Sequence, residues 1–331
     1  MKVRQYSIVA IACAGSLCAQ NVSMTIEVTG GSASATVNPS YAAAVVSNVS
    51  AQPGVVPPGT VFVNSASFGA SSGQSSVTVL DSVSNQVAPF AFAIESSASA
   101  VASPPTGPVA EAVSTSMQAT VRLTLAAMQP TRGRLQVVYS GYEYDIGAAH
   151  VAMDVGADGS VEVAASSQVF SPSLSEIALD LPLVIGAQPV PIQLQVDNTA
   201  GASAVNGQFD GHGAGLTFEV RFFPGQPVIE GFGWASATAQ LHAEHRRDNV
   251  VDLRLYPTGQ PGLFAFGLQS TSVAWTPTLT QLVAVDSFVV ADQLLIAMPS
   301  LPPGTEWFCQ GLVVSPSGQL LGTSARRAFW P

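Results

Sequence analysis

Period-two alternation of apolar and polar side chains runs along this 331-residue chain almost from end to end, and it constrains the fold more than any other feature. Leu216, Phe218, Val220 and Phe222 fall on one side of an extended chain, with Thr217, Glu219 and Arg221 on the other. Ile192, Leu194 and Val196 alternate in the same way with Gln193, Gln195 and Asp197, and Val121, Leu123 and Leu125 with Arg122 and Thr124. Each run describes a strand with one face against a core and one against water. Helical spacing is nearly absent. Residues 109–125 are ambiguous, but their Ser, Thr and Val content favours a strand. Ala157-Asp158-Gly159 and Ser315-Pro316-Ser317-Gly318 separate alternating runs and predict hairpin turns. Many strands without crossover helices predict an all-β fold, with two antiparallel β-sandwich domains of jelly-roll or immunoglobulin-like type.

The N-terminus predicts export. Lys2 and Arg4 form a short positive region, residues 8–14 an apolar one, and small residues follow to Ala19, which together read as a signal peptide over 1–20. Cleavage could fall after Ala14, Cys18 or Ala19. Removing the peptide takes two of the 11 basic residues with it, leaving nine arginines, no lysine and 21 acids, a net charge near −12. Such a surface repels nucleic acid and anionic lipid, so neither is an expected partner. The most apolar run, residues 279–298, is interrupted by Asp286 and Asp292 and cannot span a membrane. Cys309 is the one cysteine left, which excludes an internal disulfide; it is expected as a buried free thiol, with an intermolecular bridge as the alternative.

The expected organisation is a larger β-sandwich domain over 21–235 and a smaller C-terminal β-sandwich module over 236–331. Three of the four tryptophans (Trp275, Trp307 and Trp330) belong to the module, enough aromatic bulk for a small core. Residues 96–116 are poor in large side chains and contain Pro104-Pro105-Thr106-Gly107-Pro108. They are expected to form a long Ser/Ala/Pro-rich loop within the larger domain.

From Val250 onward the residues also carry a resemblance. DLRLYPTGQPGLFAFGLQS, a strand pair at 252–270, and LPPGTEWFCQGLVVSPSGQLLGTSARRAFWP at 301–331 resemble the C-terminal β-module of large secreted bacterial proteins of unknown function. In the second block Phe308-Cys309-Gln310 precedes a short apolar strand, a Ser/Pro/Gly turn and a terminal strand. Residues 122–223 are more loosely similar to the β-sandwich that accompanies such modules. Related modules usually end on an Asn-Gly hairpin, whereas this chain ends Ala325-Arg326-Arg327-Ala328-Phe329-Trp330-Pro331. The resemblance implies export and a β-fold; it implies no activity and no catalytic residues.

Few residues suggest chemistry. Leu241-His242-Ala243-Glu244-His245-Arg246-Arg247-Asp248 holds two of the four histidines. Alternation on both sides predicts a hairpin with a turn over 245–249, in which Ala243 faces Val251, Leu241 faces Leu253 and His242 faces Asp252. His242, Glu244 and Asp252 then share the wet face and could hold a cation weakly, although His242 and His245 point to opposite faces, unlike a helical His-Glu-x-x-His pair. Gly69-Ala70-Ser71-Ser72-Gly73 matches a nucleophile-elbow pattern in form but lacks the helix that makes it work. Asp154 and Asp158 sit in a turn that fails as an EF-hand, and a loop containing Asp197, Asn198, Asp210 and His212 offers oxygen ligands at loose spacing. The best binding candidate is the strand around Tyr142, Glu143, Tyr144 and Asp145. Its two tyrosines share a face, with the carboxylates opposite, and could stack on sugar rings.

The expectation is therefore a secreted, non-catalytic structural or ligand-binding protein of the cell exterior that requires no cofactor. Its expected partners are polysaccharide or surface proteins. The alternative is an extracellular glycan-active enzyme, or a carbohydrate-binding module. Two carboxylates facing each other across a groove would favour the enzyme.

Overall fold

The computed structural model describes residues 22–57, 59–81, 90–170, 177–232, 239–245, 250–257, 260–276, 279–298 and 301–331. The expected signal peptide lies outside the described residues. The fold is all-β, with antiparallel, unclosed sheets, and no helix among the described residues is long and apolar enough to cross a membrane.

Thirteen strands build two facing sheets: β1 (Val22–Pro39), β2 (Val45–Ser50), β3 (Gly54–Val55), β4 (Val61–Phe68), β5 (Ser71–Asp81), β6 (Phe90–Ala102), β7 (Ala110–Ala127), β8 (Thr131–Tyr144), β9 (Gly147–Val155), β10 (Val163–Ser166), β11 (Ile177–Ile185), β12 (Val190–Val205) and β13 (Asp210–Pro224). The first sheet runs β10-β9-β12-β7-β1-β2, with β3 also on β1, and the second runs β11-β8-β13-β6-β5-β4. In β7 every second side chain from Val113 to Leu125 is buried, the alternation the sequence predicts. Leu123, Val121 and Ile192 of the first sheet meet Phe92, Leu135, Phe218 and Phe222 of the second in the main core.

Toward its other end the sandwich is filled almost entirely by alanine: Ala35, Ala98, Ala100, Ala102, Ala200 and Ala202. This part corrects the expected loop over 96–116. Residues up to 102 continue β6, those from 110 onward begin β7, and the connection is only 103–109. Small side chains there mark a thin interior between two sheets, not a lack of structure. Burying a Phe or Leu contributes about 1.5–3 kcal/mol, an Ala far less, so the alanine end contributes less per residue.

A bulge in β1 reconciles its sequence with its pairing. Val28 faces Val121 and Gly30 faces Thr120, so Thr29 is an extra residue. The buried set accordingly changes parity, from Ile26 and Val28 to Ala33, Ala35 and Val37.

The rest of the chain forms β14 (Val228–Phe232), β15 (Gln240–His245), β16 (Val250–Tyr256), β17 (Gly262–Gly267), β18 (Gln269–Thr276), β19 (Leu279–Ala284), β20 (Ser287–Val290), β21 (Gln293–Ala297), β22 (Glu306–Val314) and β23 (Leu320–Phe329). A sheet β14-β23-β22-β17-β20 packs against β15-β16-β21 around Leu253, Leu255, Phe264, Ile296 and Trp330, and β18 pairs with β19. β14, which precedes the expected boundary at residue 235, pairs with β23. β16 and β17, expected as a strand pair, belong to different sheets and meet face to face: a Cβ at Gly262 would lie 2.6 Å from Leu255 Cδ1. Gln310 braces this part. Its Oε1 accepts from Leu282 N–H at 2.8 Å while Nε2 donates to the carbonyls of Thr280 and Thr323 at 2.7 and 2.9 Å. Cys309 is a buried free thiol.

Candidate ligand-binding face

Tyr142 and Tyr144 do share one face at the end of β8, and that face points away from the core. Beyond Tyr139 the strand runs past its partner β11, whose pairing covers Thr131 to Tyr139. On the other side β8 pairs with β13, setting Tyr142 opposite Gly215 and Tyr144 opposite Gly213. Glycines 211, 213 and 215 thus line the outward face of β13 with no side chain of their own. Aromatic rings occupy two of the vacated places. A Cβ at Gly215 would sit 2.5 Å from Tyr142 Cε1, and one at Gly211 would sit 3.1 Å from Phe209 Cζ. All three rings stay open to solvent: Tyr142 is 59%, Tyr144 68% and Phe209 72% exposed. Gly211 and Gly215 are four residues apart on one strand, so the two outer rings stand roughly 13 Å apart with Tyr144 beside the glycine between them.

Glu143 lies on the opposite face of β8 and is exposed, as expected. Asp145 departs from expectation. It has left the strand for a left-handed turn with φ of 59°, and its Oδ2 lies 3.4 Å from Nδ1 of the buried His212. The other imidazole nitrogen, Nε2, is 2.9 Å from Oδ1 of Asp210. Ile146 N–H donates to Nδ1 at 3.3 Å, which places the ring proton on Nε2, donating to Asp210. Asp210 in turn accepts from Ser203 N–H at 2.7 Å. Ile146 N–H on Nδ1 and Asp210 on Nε2 make His212 a bridge that ties the end of β8 to the start of β13 and so holds the tyrosines beside Phe209.

The expected loop ligands are not one loop. Asp197 and Asn198 stand in the middle of β12, where buried Asn198 donates to Ser96 Oγ at 2.9 Å and to Ser76 O at 3.1 Å between the sheets. Asp154 spends its carboxylate on its own turn, accepting from Asp158 N–H at 3.2 Å and Gly159 N–H at 2.9 Å. Ser71 of the elbow-like motif is buried at the start of β5. Its hydroxyl donates to Glu111, a buried carboxylate that the sequence reading passed over and that also accepts from Tyr41. A serine sealed in this way cannot reach a substrate.

The His242 hairpin forms, with its register moved by two residues. Leu241 faces Leu255, His242 faces Arg254, Glu244 faces Asp252, and His245 is still paired, opposite Val251. The apolar face is as expected, because a slip of two preserves parity. Asp252 is buried, and its Oδ2 accepts from Arg254 Nη2 at 2.6 Å and its Oδ1 from Gln293 Nε2 at 2.9 Å. His242 lies edge-on to Tyr256 with ring centroids 6.5 Å apart. Among the described residues no group of three or more His, Cys, Asp or Glu side chains could hold a metal ion.

No protein-family model and no curated protein matches the chain. Among solved structures it is similar to the glycoside hydrolase domain of Endo-D from Streptococcus pneumoniae R6, at 10% identity over 72% of this chain and 33% of that one, with a TM-score of 0.16. A β-1,2-glucanase from Parabacteroides distasonis is 9% identical over 82% of this chain and 37% of its own, with a TM-score of 0.19. The adhesin domain of Epf from Streptococcus pyogenes is 10% identical over 82% of this chain and 91% of its own, with a TM-score of 0.17. The chain spans about a third of the length of the first two. Similarity at this level bears on neither activity nor ligand.

Proposed function

We propose that this is an exported, non-catalytic β-sandwich protein that binds a carbohydrate chain on the face formed by Tyr142, Tyr144 and Phe209. The observation that carries the reading is the set of three solvent-open aromatic side chains, two of which, Tyr142 and Phe209, lie over glycines of β13. Aromatic rings exposed to this degree cost solvation unless something flat covers them, and the C–H faces of sugar rings are flat and weakly apolar. Export rests on the N-terminal pattern of charge and hydropathy.

Glycoside hydrolysis would need two carboxylates flanking an open gap in which a sugar and a water can sit. Asp210 instead spends its carboxylate on His212 Nε2 and Ser203 N–H, and that supports binding over catalysis.

The test is a polysaccharide-binding panel with the wild-type chain, Tyr142→Ala/Tyr144→Ala and Phe209→Ala. A stacked ring contributes on the order of 1 kcal/mol. Losing two should therefore weaken binding roughly thirtyfold, and Phe209→Ala should weaken it several-fold. Unchanged affinity in the double variant would remove this face from the function.

A further inference from the structure

The opposite side of the sandwich carries a second feature, independent of the aromatic face. On the outer surface of the first sheet the registers line up one row of side chains across five strands: His150 of β9, Asp197 of β12, Gln118 of β7, Ser32 of β1 and Ser50 of β2. A parallel row beside it holds Thr199, Ser116, Ser34 and Asn48. These rows line a hollow of about 770 Å³. Ser32, Gln118 and Asp197 also border a second hollow of about 540 Å³, reaching Thr120 and Gln195. Together they form one trough crossing the strands. Five strands at about 4.8 Å spacing make it roughly 19 Å long.

The chemistry of the lining selects the occupant. Apart from the Ser34–Ser116 hydroxyl pair at 2.9 Å, the polar side chains of the two rows make no hydrogen bond or ion pair with a described residue. The other sheet behaves differently: there Ser76 bonds Ser97 at 2.8 Å and Arg134 bonds Asp180 at 2.9 Å. The trough thus offers hydroxyls, amides, an imidazole and one carboxylate, donors and acceptors mixed, with nothing to consume them but water or a ligand. Among the described residues, Asp197 and His150 are the only ionisable groups lining it. A polyanion finds no cation there and meets Asp197 instead. A protein partner finds no aromatic or arginine anchor on the lining. We propose that the trough is a binding site for an uncharged polysaccharide, whose hydroxyls bridge successive rows as the chain runs across the strands.

The experiment is affinity electrophoresis of the full chain in gels containing hydroxyethylcellulose, xyloglucan, glucomannan or dextran, with alginate as the anionic probe. Three variants run beside the wild type: Gln118→Ala/Asp197→Ala, Ser116→Trp to fill the trough, and Tyr142→Ala/Tyr144→Ala. The expected result is retardation of the wild type by at least one neutral polymer and at least a tenfold weaker affinity in both trough variants. Their denaturation midpoints should stay at the wild-type value, since the altered side chains point to solvent. If Ser116→Trp does not fold, the alanine pair decides. Trough variants that bind as tightly as wild type overturn the proposal, and so does a preference for alginate or a wild type retarded by no polymer. Loss confined to the tyrosine variant would keep the aromatic face and discard the trough, whereas loss confined to the trough variants would do the reverse.

Discussion

Arg134 is the largest fully buried side chain among the described residues, and its surroundings are only half complete. Nη1 donates to Asp180 at 2.9 Å and the guanidinium lies 4.2 Å from the Phe223 ring centroid, yet Nε and Nη2 have no partner among the described residues. Burial pulls its pKa below the ordinary value while Asp180 opposes that pull. Cutting one side of such a pair leaves an uncompensated charge, so Arg134→Ala should cost about 3–5 kcal/mol. Arg134→Met combined with Asp180→Leu should recover most of it, and denaturant midpoints of the three proteins check both statements. Gly215→Ala probes the other residue-scale dependence. The new methyl displaces the Tyr142 ring, which is free to swing into solvent. Affinity for the carbohydrate should fall about tenfold while stability stays within about 1 kcal/mol of wild type, as titration and unfolding on one sample would show.

Among the elements, β1 depends on one residue. Deleting Thr29 removes the bulge, so either Ile26 and Val28 or Ala33, Ala35 and Val37 must turn outward. The deletion should abolish cooperative unfolding, measured by near-ultraviolet circular dichroism. Nothing in the sequence announces that bulge, because Gly30-Gly31 reads as any turn would. What was legible follows from how far each signal reaches along the chain. Strands with bulky alternation, such as β7, β12 and β13, declare themselves, and so do Tyr142 and Tyr144, whose shared face is settled within one strand. The ends of β6 and β7 were misread because alanine and serine look alike in a loop and in a thin core. The β15–β16 hairpin had the right face and the wrong register, since parity cannot detect a slip of two. The link from Ile146 through His212 to Asp210 was out of reach, because Ile146 lies 66 residues from His212 and the two meet only through the β8–β13 ladder.

For the molecule as a whole, the titrating groups that shift upward set its alkaline limit. Burial pushes the Cys309 thiol well above its ordinary value of 9.0 and raises the Tyr139 phenol, and a hydrogen bond to Glu111 raises Tyr41. In each case the folded state keeps a proton that the unfolded chain releases first. Stability from these groups is then full below about pH 9 and falls above it, most of all through the buried Cys309 thiol. Urea midpoints at pH 8 and pH 10 should differ in that direction, and Cys309 should resist a thiol reagent until the protein is unfolded. The core also tapers, from Phe218 and Phe222 at one end to Ala98, Ala100 and Ala202 at the other. A saturation library would register this taper as two opposite tolerances: at the broad end variants fail by being too small, and at the narrow end by being too large. Sequence drift at the narrow end is therefore confined beneath a volume ceiling, where glycine, alanine and serine can trade places while the architecture stands.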